Sequence, residues 1–91
     1  MKTNPEYFLK VKPWNSGWVW AGHELWTLNV QRLTRIDRLE ESDGKVLEVR
    51  IGNLEVPVSR LPYPTLEPGV TLYVRARPGT TFRFRGVETI E

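Results

Sequence analysis

Residues 69–87 read GVTLYVRARPGTTFRFRGV, and apolar and basic side chains alternate on both sides of Pro78-Gly79-Thr80. Successive strand residues face opposite sides of a sheet, so Leu72, Val74, Ala76, Phe82 and Phe84 belong to one face. Tyr73, Arg75, Arg77, Arg83 and Arg85 belong to the other. The pattern predicts two strands joined as a hairpin. A three-residue loop pairs Ala76 with Phe82 and Val74 with Phe84, whereas a two-residue loop would oppose Val74 to Arg83 and mix the faces. The register so selected sets Arg75 opposite Arg83. Like charges at that spacing are mildly destabilising, which calls for a neighbouring anion. Four of the thirteen Lys and Arg residues fall between Arg75 and Arg85, where there is no carboxylate.

Working upstream, Val46 to Ile51 alternates cleanly between an Asp43-Gly44 turn and a two-residue Gly52-Asn53 turn. That turn pairs Ile51 with Leu54, Val49 with Val56 and Leu47 with Val58, giving one apolar face. The outer face sets Arg50 opposite Glu55, a cross-strand ion pair of ~0.2–1 kcal/mol. This hairpin neutralises its own charge and the terminal one does not, which directs the functional reading to the terminal one. Between them, Ser59 to Gly69 carries Pro62, Pro64 and Pro68 around Tyr63 and Leu66. It reads as a connection outside any central strand.

Tyr7 to Lys12 alternates as a short strand ended by Pro13. Asn15-Ser16-Gly17 marks a turn between Trp14 and Trp18, and Trp18-Val19-Trp20 puts two indoles on one strand face. Leu25 to Glu41 reads two ways. Trp26, Leu28 and Val30 alternate as a strand, and the β-favouring Trp, Thr and Val side chains favour that reading; a helix over Val30 to Leu39 stays open. The four tryptophans read chiefly as aromatic core mass. Their alternative is an exposed stacking platform, for which Trp14, Trp18 and Trp20 are the candidates and Trp14, bordering the turn, is the first choice.

The chain has 91 residues, 40% of them hydrophobic and 26% charged, which suits one small soluble domain. A Trp-rich segment over 1–24 would close one side of a barrel core over 25–91. No apolar run reaches membrane-spanning length, and no signal-peptide pattern opens the sequence. Cysteine is absent, so disulfides and thiolate metal sites are excluded and a cytoplasmic setting fits. Catalysis is not expected. His23 is the only histidine, while Ser16, Ser42 and Ser59 lie in turn-like contexts without a nucleophile elbow. Glu40, Glu41 and Asp43 read as a solvated cluster. No metal site or cofactor is expected.

The stretch from Asp43 to Phe84 resembles the TOBE modules that follow the ATPase domain of some ABC transporters, which are small OB-like β-barrels. The resemblance rests on Gly44-Lys45-Val46-Leu47-Glu48-Val49, a short hairpin, Leu66-Glu67-Pro68-Gly69, then a β run and Arg77-Pro78. It covers about half of the chain, and a P-loop is missing. It implies an accessory or oxyanion-sensing role, and no ligand residue is carried over from it.

The sequence therefore predicts an all-β domain, a small partly open barrel of OB or SH3-like size built from antiparallel hairpins. Its expected function is non-catalytic. Arg75, Arg77, Arg83 and Arg85 would contact phosphates of single-stranded nucleic acid while Tyr73, Trp18 or Trp20 stacks on bases. A second reading docks the same face on an acidic protein surface, as a TOBE-like or subunit-type interaction module. A third leaves it an ordinary solvated face, with Glu24, Glu88 or Glu91 as counterions. Exposed strand edges also make homo-oligomers an open option.

Overall fold

The computed structural model describes residues 10–43 and 45–90. They form an all-β domain of eight strands: β1 (Val11–Asn15), β2 (Val19–Trp20), β3 (Leu25–Asn29), β4 (Thr34–Asp43), β5 (Val46–Ile51), β6 (Leu54–Val56), β7 (Thr71–Ala76) and β8 (Thr81–Thr89). Two antiparallel sheets wrap one core as a partly open barrel. In the first, β8 is central: β1 and β2 lie end to end along one edge and β4 along the other. The second runs β3-β7-β5-β6. Leu25 to Glu41 is thus two strands and not a helix. Among the described residues no helix is long and apolar enough to cross a membrane.

The predicted terminal hairpin does not form. β7 pairs with β3 and β5, whereas β8 pairs with β1, β2 and β4, so Arg75 does not face Arg83. The Pro78-Gly79-Thr80 segment instead carries the chain from one sheet to the other. It is tied to the residue after β2, with the Gly79 amide donating to the Ala21 carbonyl (2.8 Å) and the Ala21 amide to the Thr80 carbonyl (2.9 Å). Gly79 takes a φ of +92° there, a conformation that costs glycine little. The apolar alternation survives the change of partner. Leu72, Val74 and Ala76 pack inward from one sheet, and Phe82 and Phe84 pack inward from the other.

Aromatic rings knit the two layers. Trp26 meets Phe82 edge-on at 5.4 Å and stacks over Phe84 at 6.3 Å, while Tyr63 meets Phe84 at 6.3 Å. Such pairs add ~0.5–1.5 kcal/mol each beyond area burial. Trp14 also packs against this core. It pairs with Gly86, so it is not the exposed residue that its turn suggested. Pro13 does not end the first strand, which runs through it at the sheet edge, where a missing donor is tolerated. Tyr7, Phe8 and Leu9 of that expected strand lie outside the described residues, as does Gly44 of the Asp43-Gly44 turn.

Two of the three register shifts in β4 and β5 set which side chains face out near Arg38 and Leu47. In β4 the register shifts between Ile36 and Arg38, so Asp37 is an extra residue and parity flips. Leu39 then turns toward the core, and Arg38 and Glu40 stand opposite Arg85 and Arg83. In β5 the shift falls between Val46 and Glu48. Val46 and Val49 are therefore both buried and Leu47 is exposed, which departs from the expected Leu47–Val58 pair. The other two expected pairs form, Ile51 with Leu54 and Val49 with Val56.

The proline-rich connection covers the free edge of β4. Leu66 and Thr34 exchange amide–carbonyl hydrogen bonds (2.7 and 2.9 Å), and the Tyr63 amide donates to the Ile36 carbonyl (2.9 Å). Tyr63 and Leu66 are buried, and the Tyr63 hydroxyl donates to the Val58 carbonyl. Burial first, then the nearby Glu41 charge, pushes the Tyr63 phenol up to about 12 from an ordinary 10.0.

Two stability predictions follow from these contacts. A Cβ on Gly86 would lie 1.9 Å from the Arg35 carbonyl oxygen and 2.9 Å from Ile36 Cα, so Gly86→Ala should destabilise the domain by ~1–3 kcal/mol or more. A urea midpoint equal to wild type would contradict that close approach. Tyr63→Phe should cost about 1 kcal/mol at neutral pH and should also change the alkaline limb. Between the ordinary phenol value of 10.0 and about 12, the unfolded chain releases a proton that the folded protein keeps. Wild-type stability therefore falls as pH rises through that window. The phenylalanine variant should lose less over the same range, and parallel urea–pH curves for the two proteins would argue against it.

Candidate functional site

The two sheets carry their cations on opposite outer surfaces, so the arginines of residues 75–85 do not form one face. On the β3-β7-β5-β6 sheet, Tyr73 and Arg75 border a shallow hollow of about 320 Å³ with Leu25, Glu48 and Arg50. Arg75 is neutralised twice, by Glu48 (Nε to Oε1, 3.0 Å) and by Glu24 (Nη1 to Oε2, 3.1 Å). Arg50 stands opposite Glu55 as expected, yet among the described residues no carboxylate comes within ion-pair distance of it. The expected contrast is reversed: it is the later strand that neutralises its cation. Arg77 lies past the end of β7, at the corner between the sheets. Its amide donates to the Lys45 carbonyl (3.4 Å), and its guanidinium has no ion-pair partner among the described residues.

The other surface collects more of the predicted residues. Arg83 and Arg85 project from β8 and meet Arg38 and Glu40 of β4. Glu40 Oε1 accepts from Arg83 Nη2 (2.6 Å) and Nε (3.1 Å), and Oε2 accepts from Arg85 Nη1 (3.4 Å). Arg38 Nε lies 3.5 Å from the same Oε2. One carboxylate is thus shared by three guanidinium groups. The hydrogen bond from Arg83, reinforced by the charges of Arg83 and Arg85, holds the Glu40 carboxyl below its ordinary 4.5.

Beside this row stands the Trp18 indole, and Trp20 follows on the same strand face with its ring beside Gly22. The Arg83 guanidinium carbon sits 4.8 Å from the Trp18 ring centroid, within cation–π range. Trp18 is 51% exposed and Trp20 is 70% exposed. Their placement comes from Asn15-Ser16-Gly17. The Asn15 side-chain oxygen accepts from the Gly17 amide (2.8 Å), and Gly17 adopts a φ of +78°, the local chemistry that makes Asn-rich turns. The Ser16 amide donates to the Phe84 carbonyl (2.9 Å) and the Phe84 amide to Ser16 Oγ (3.0 Å). This staple fixes the turn between Arg83 and Arg85. Val19 then pairs with Phe82 on the inner side and Trp20 with Thr81 on the outer side.

Of the residues singled out from sequence, Trp18, Arg83 and Arg85 come together, and Trp20 shares their sheet face. Tyr73 and Arg75 lie on the opposite surface, Arg77 at the corner, and Trp14 against the core. Arg38 and Glu40 join the site without a binding signal of their own in the sequence. Their i, i+2 spacing already put them on one strand face, but the partner strand could not be read from it. Ser16 Oγ is engaged by backbone groups, and Ser42 Oγ donates to the Thr81 carbonyl (3.3 Å). Among the described residues no three His, Cys, Asp or Glu side chains gather as metal ligands. No family model, no curated protein and no solved structure matches the chain.

The shared carboxylate has a thermodynamic signature. A carboxyl held below its ordinary value stabilises the fold above that value, and the contribution is lost as pH falls through the depressed one. Glu40→Gln should therefore lower the neutral midpoint modestly, because exposed ion pairs are weak, and flatten the decline of stability below pH 4.5 by the same amount, the two proteins converging in acid. Identical acid limbs for variant and wild type in urea–pH titrations would remove Glu40 from this role.

Proposed function

We propose that the domain is a non-catalytic binding module whose β4/β8 surface, with Trp18, Trp20, Arg38, Arg83 and Arg85, engages single-stranded nucleic acid. The observation that carries the reading is the exposed Trp18 indole against a row of three guanidinium groups, with a second exposed indole, Trp20, on the same strand face. Leaving two tryptophans in water forgoes a large burial gain, and surfaces that do so are commonly binding surfaces. Proteins that hold single strands combine cationic grooves with aromatic platforms, each base stack contributing about 1–3 kcal/mol. Guanidinium suits phosphate oxygens through its planar fork. Three cations against one carboxylate leave the row net positive. The cysteine-free chain suits a reducing compartment, and the reading assigns it to the cytoplasm.

A second reading draws on the same residues. Trp and Arg are the usual anchors of protein interfaces, and the partial neutralisation by Glu40 weakens the pull on phosphate relative to bare arginines. An acidic protein surface, as for a TOBE-like accessory module, is the partner in that case. Salt separates the two, since phosphate contacts release counterions and a packed protein interface depends much less on salt.

Anisotropy titrations of labelled single-stranded DNA and RNA at two salt concentrations test the proposal. Wild type should bind with strong salt sensitivity, and Trp18→Ala should weaken binding roughly 5- to 100-fold. Arg85→Ala should lower the salt slope by about one. Folded wild-type protein that binds neither strand at low salt would eliminate this reading and leave the protein partner.

A further inference from the structure

Glu40 does not sit among its arginines as a well-matched partner would. One carboxylate oxygen is held tightly by Arg83, at 2.6 and 3.1 Å, but the other is stretched toward both Arg85 at 3.4 Å and Arg38 at 3.5 Å. Charge-assisted N–H···O contacts settle near 2.7–2.9 Å when geometry allows. The mismatch is one of number. A carboxylate has two oxygens, and three guanidinium groups converge on it from β8 and β4.

A phosphomonoester offers three terminal oxygens and a charge of about −1.5 to −2, so each guanidinium could take an oxygen of its own. An internal phosphodiester has only two free oxygens and one charge, and it would repeat the shortfall that Glu40 shows. The residual charge of the row, three cations against one anion, also suits a dianion. Arg85 and Arg38 are open to solvent, with side chains 46% and 65% exposed, so the position can be approached from outside. Trp18 lies over Arg83, where an indole could stack on the base of the nucleotide whose sugar carries that phosphate.

Resting on the nucleic-acid reading above, we infer that Arg38, Arg83 and Arg85 form a site for the terminal phosphate of a single strand. Glu40 is the built-in competitor that occupies it. Binding displaces the Glu40 carboxylate into solvent, and the same residue lowers the affinity for every anion that cannot engage all three arginines. The site thereby favours strand ends over strand interiors.

The test uses one short single strand in three forms, with a 5′-phosphate, with a 3′-phosphate and with neither, titrated into wild type, Glu40→Gln and Arg38→Ala. At least one phosphorylated form should bind wild type on the order of tenfold more tightly than the unphosphorylated strand, and the preferred form identifies the end recognised. Glu40→Gln should tighten binding roughly five- to thirtyfold, and Arg38→Ala should shrink the preference for the phosphorylated end. Equal affinity for all three forms would overturn the inference while leaving the nucleic-acid reading intact. Inorganic pyrophosphate, followed by tryptophan fluorescence, separates the remaining cases. Pyrophosphate binding strengthened by Glu40→Gln, with no strand bound, would uphold the anion site and overturn its assignment to nucleic acid. No response to strand or pyrophosphate would overturn both.

Discussion

Gly86 and the carbonyl of Arg35 approach so closely that a single methyl group between them would collide with backbone. That contact lets β8 accept β4 along one edge while β1 occupies the other, with Trp14 seated opposite the glycine. The bulge at Asp37 follows at once on β4 and reverses the facing of the strand. Without it, Arg38 and Glu40 would point into a layer occupied by Phe82 and Phe84, where unpaired charge is costly. One missing side chain and one extra residue thus decide together that a charged row stands on the surface. The core and the candidate site are two sides of the same register.

The inward set of the chain was legible because alternation is a property of each strand by itself. Leu72, Val74, Ala76, Phe82 and Phe84 are buried as their period requires, and Leu25 to Asn29 is a strand as its β-favouring residues suggested. Pairing was not legible in the same way. A turn of Pro-Gly-Thr between two alternating runs fits a hairpin and a corner between sheets equally well, since both keep the apolar residues inside. What decides is the supply of better partners far away in sequence, Thr34 to Asp43 for β8 and Leu25 to Asn29 for β7. Local pattern carries no trace of that competition. Bulges are hidden for the same reason, so strict alternation puts Leu47 inside and leaves Arg38 unmarked.

Charge was read least well, because compensation depends on pairing. Arg75, Arg83 and Arg85 looked unaccompanied in sequence, yet Glu24, Glu48 and Glu40 reach them across strands. Arg50 reads as satisfied from sequence, yet no carboxylate reaches it among the described residues. The tryptophans divide along similar lines. Their chemistry suits both core and surface, and only the strand parity of Trp18 and Trp20 marked them as a pair on one side. The Ser16 staple to Phe84 then settled which side.

The central position of β8 also has a temporal side. β1, β2 and β4 precede β8 in the chain, and among the described strands each pairs with β8 alone, β4 being covered on its other edge by Tyr63 and Leu66. A ribosome delivers these strands first, and until β8 is made each lacks its strand partner along at least one edge. The second sheet is under the same delay to a lesser degree, since β3 waits for β7. Only the β5-β6 hairpin can close as it emerges. Such long-range pairing slows folding and prolongs the interval in which open edges are exposed. In this protein the order of synthesis runs against the order of assembly, so sheet formation falls late and close to all at once.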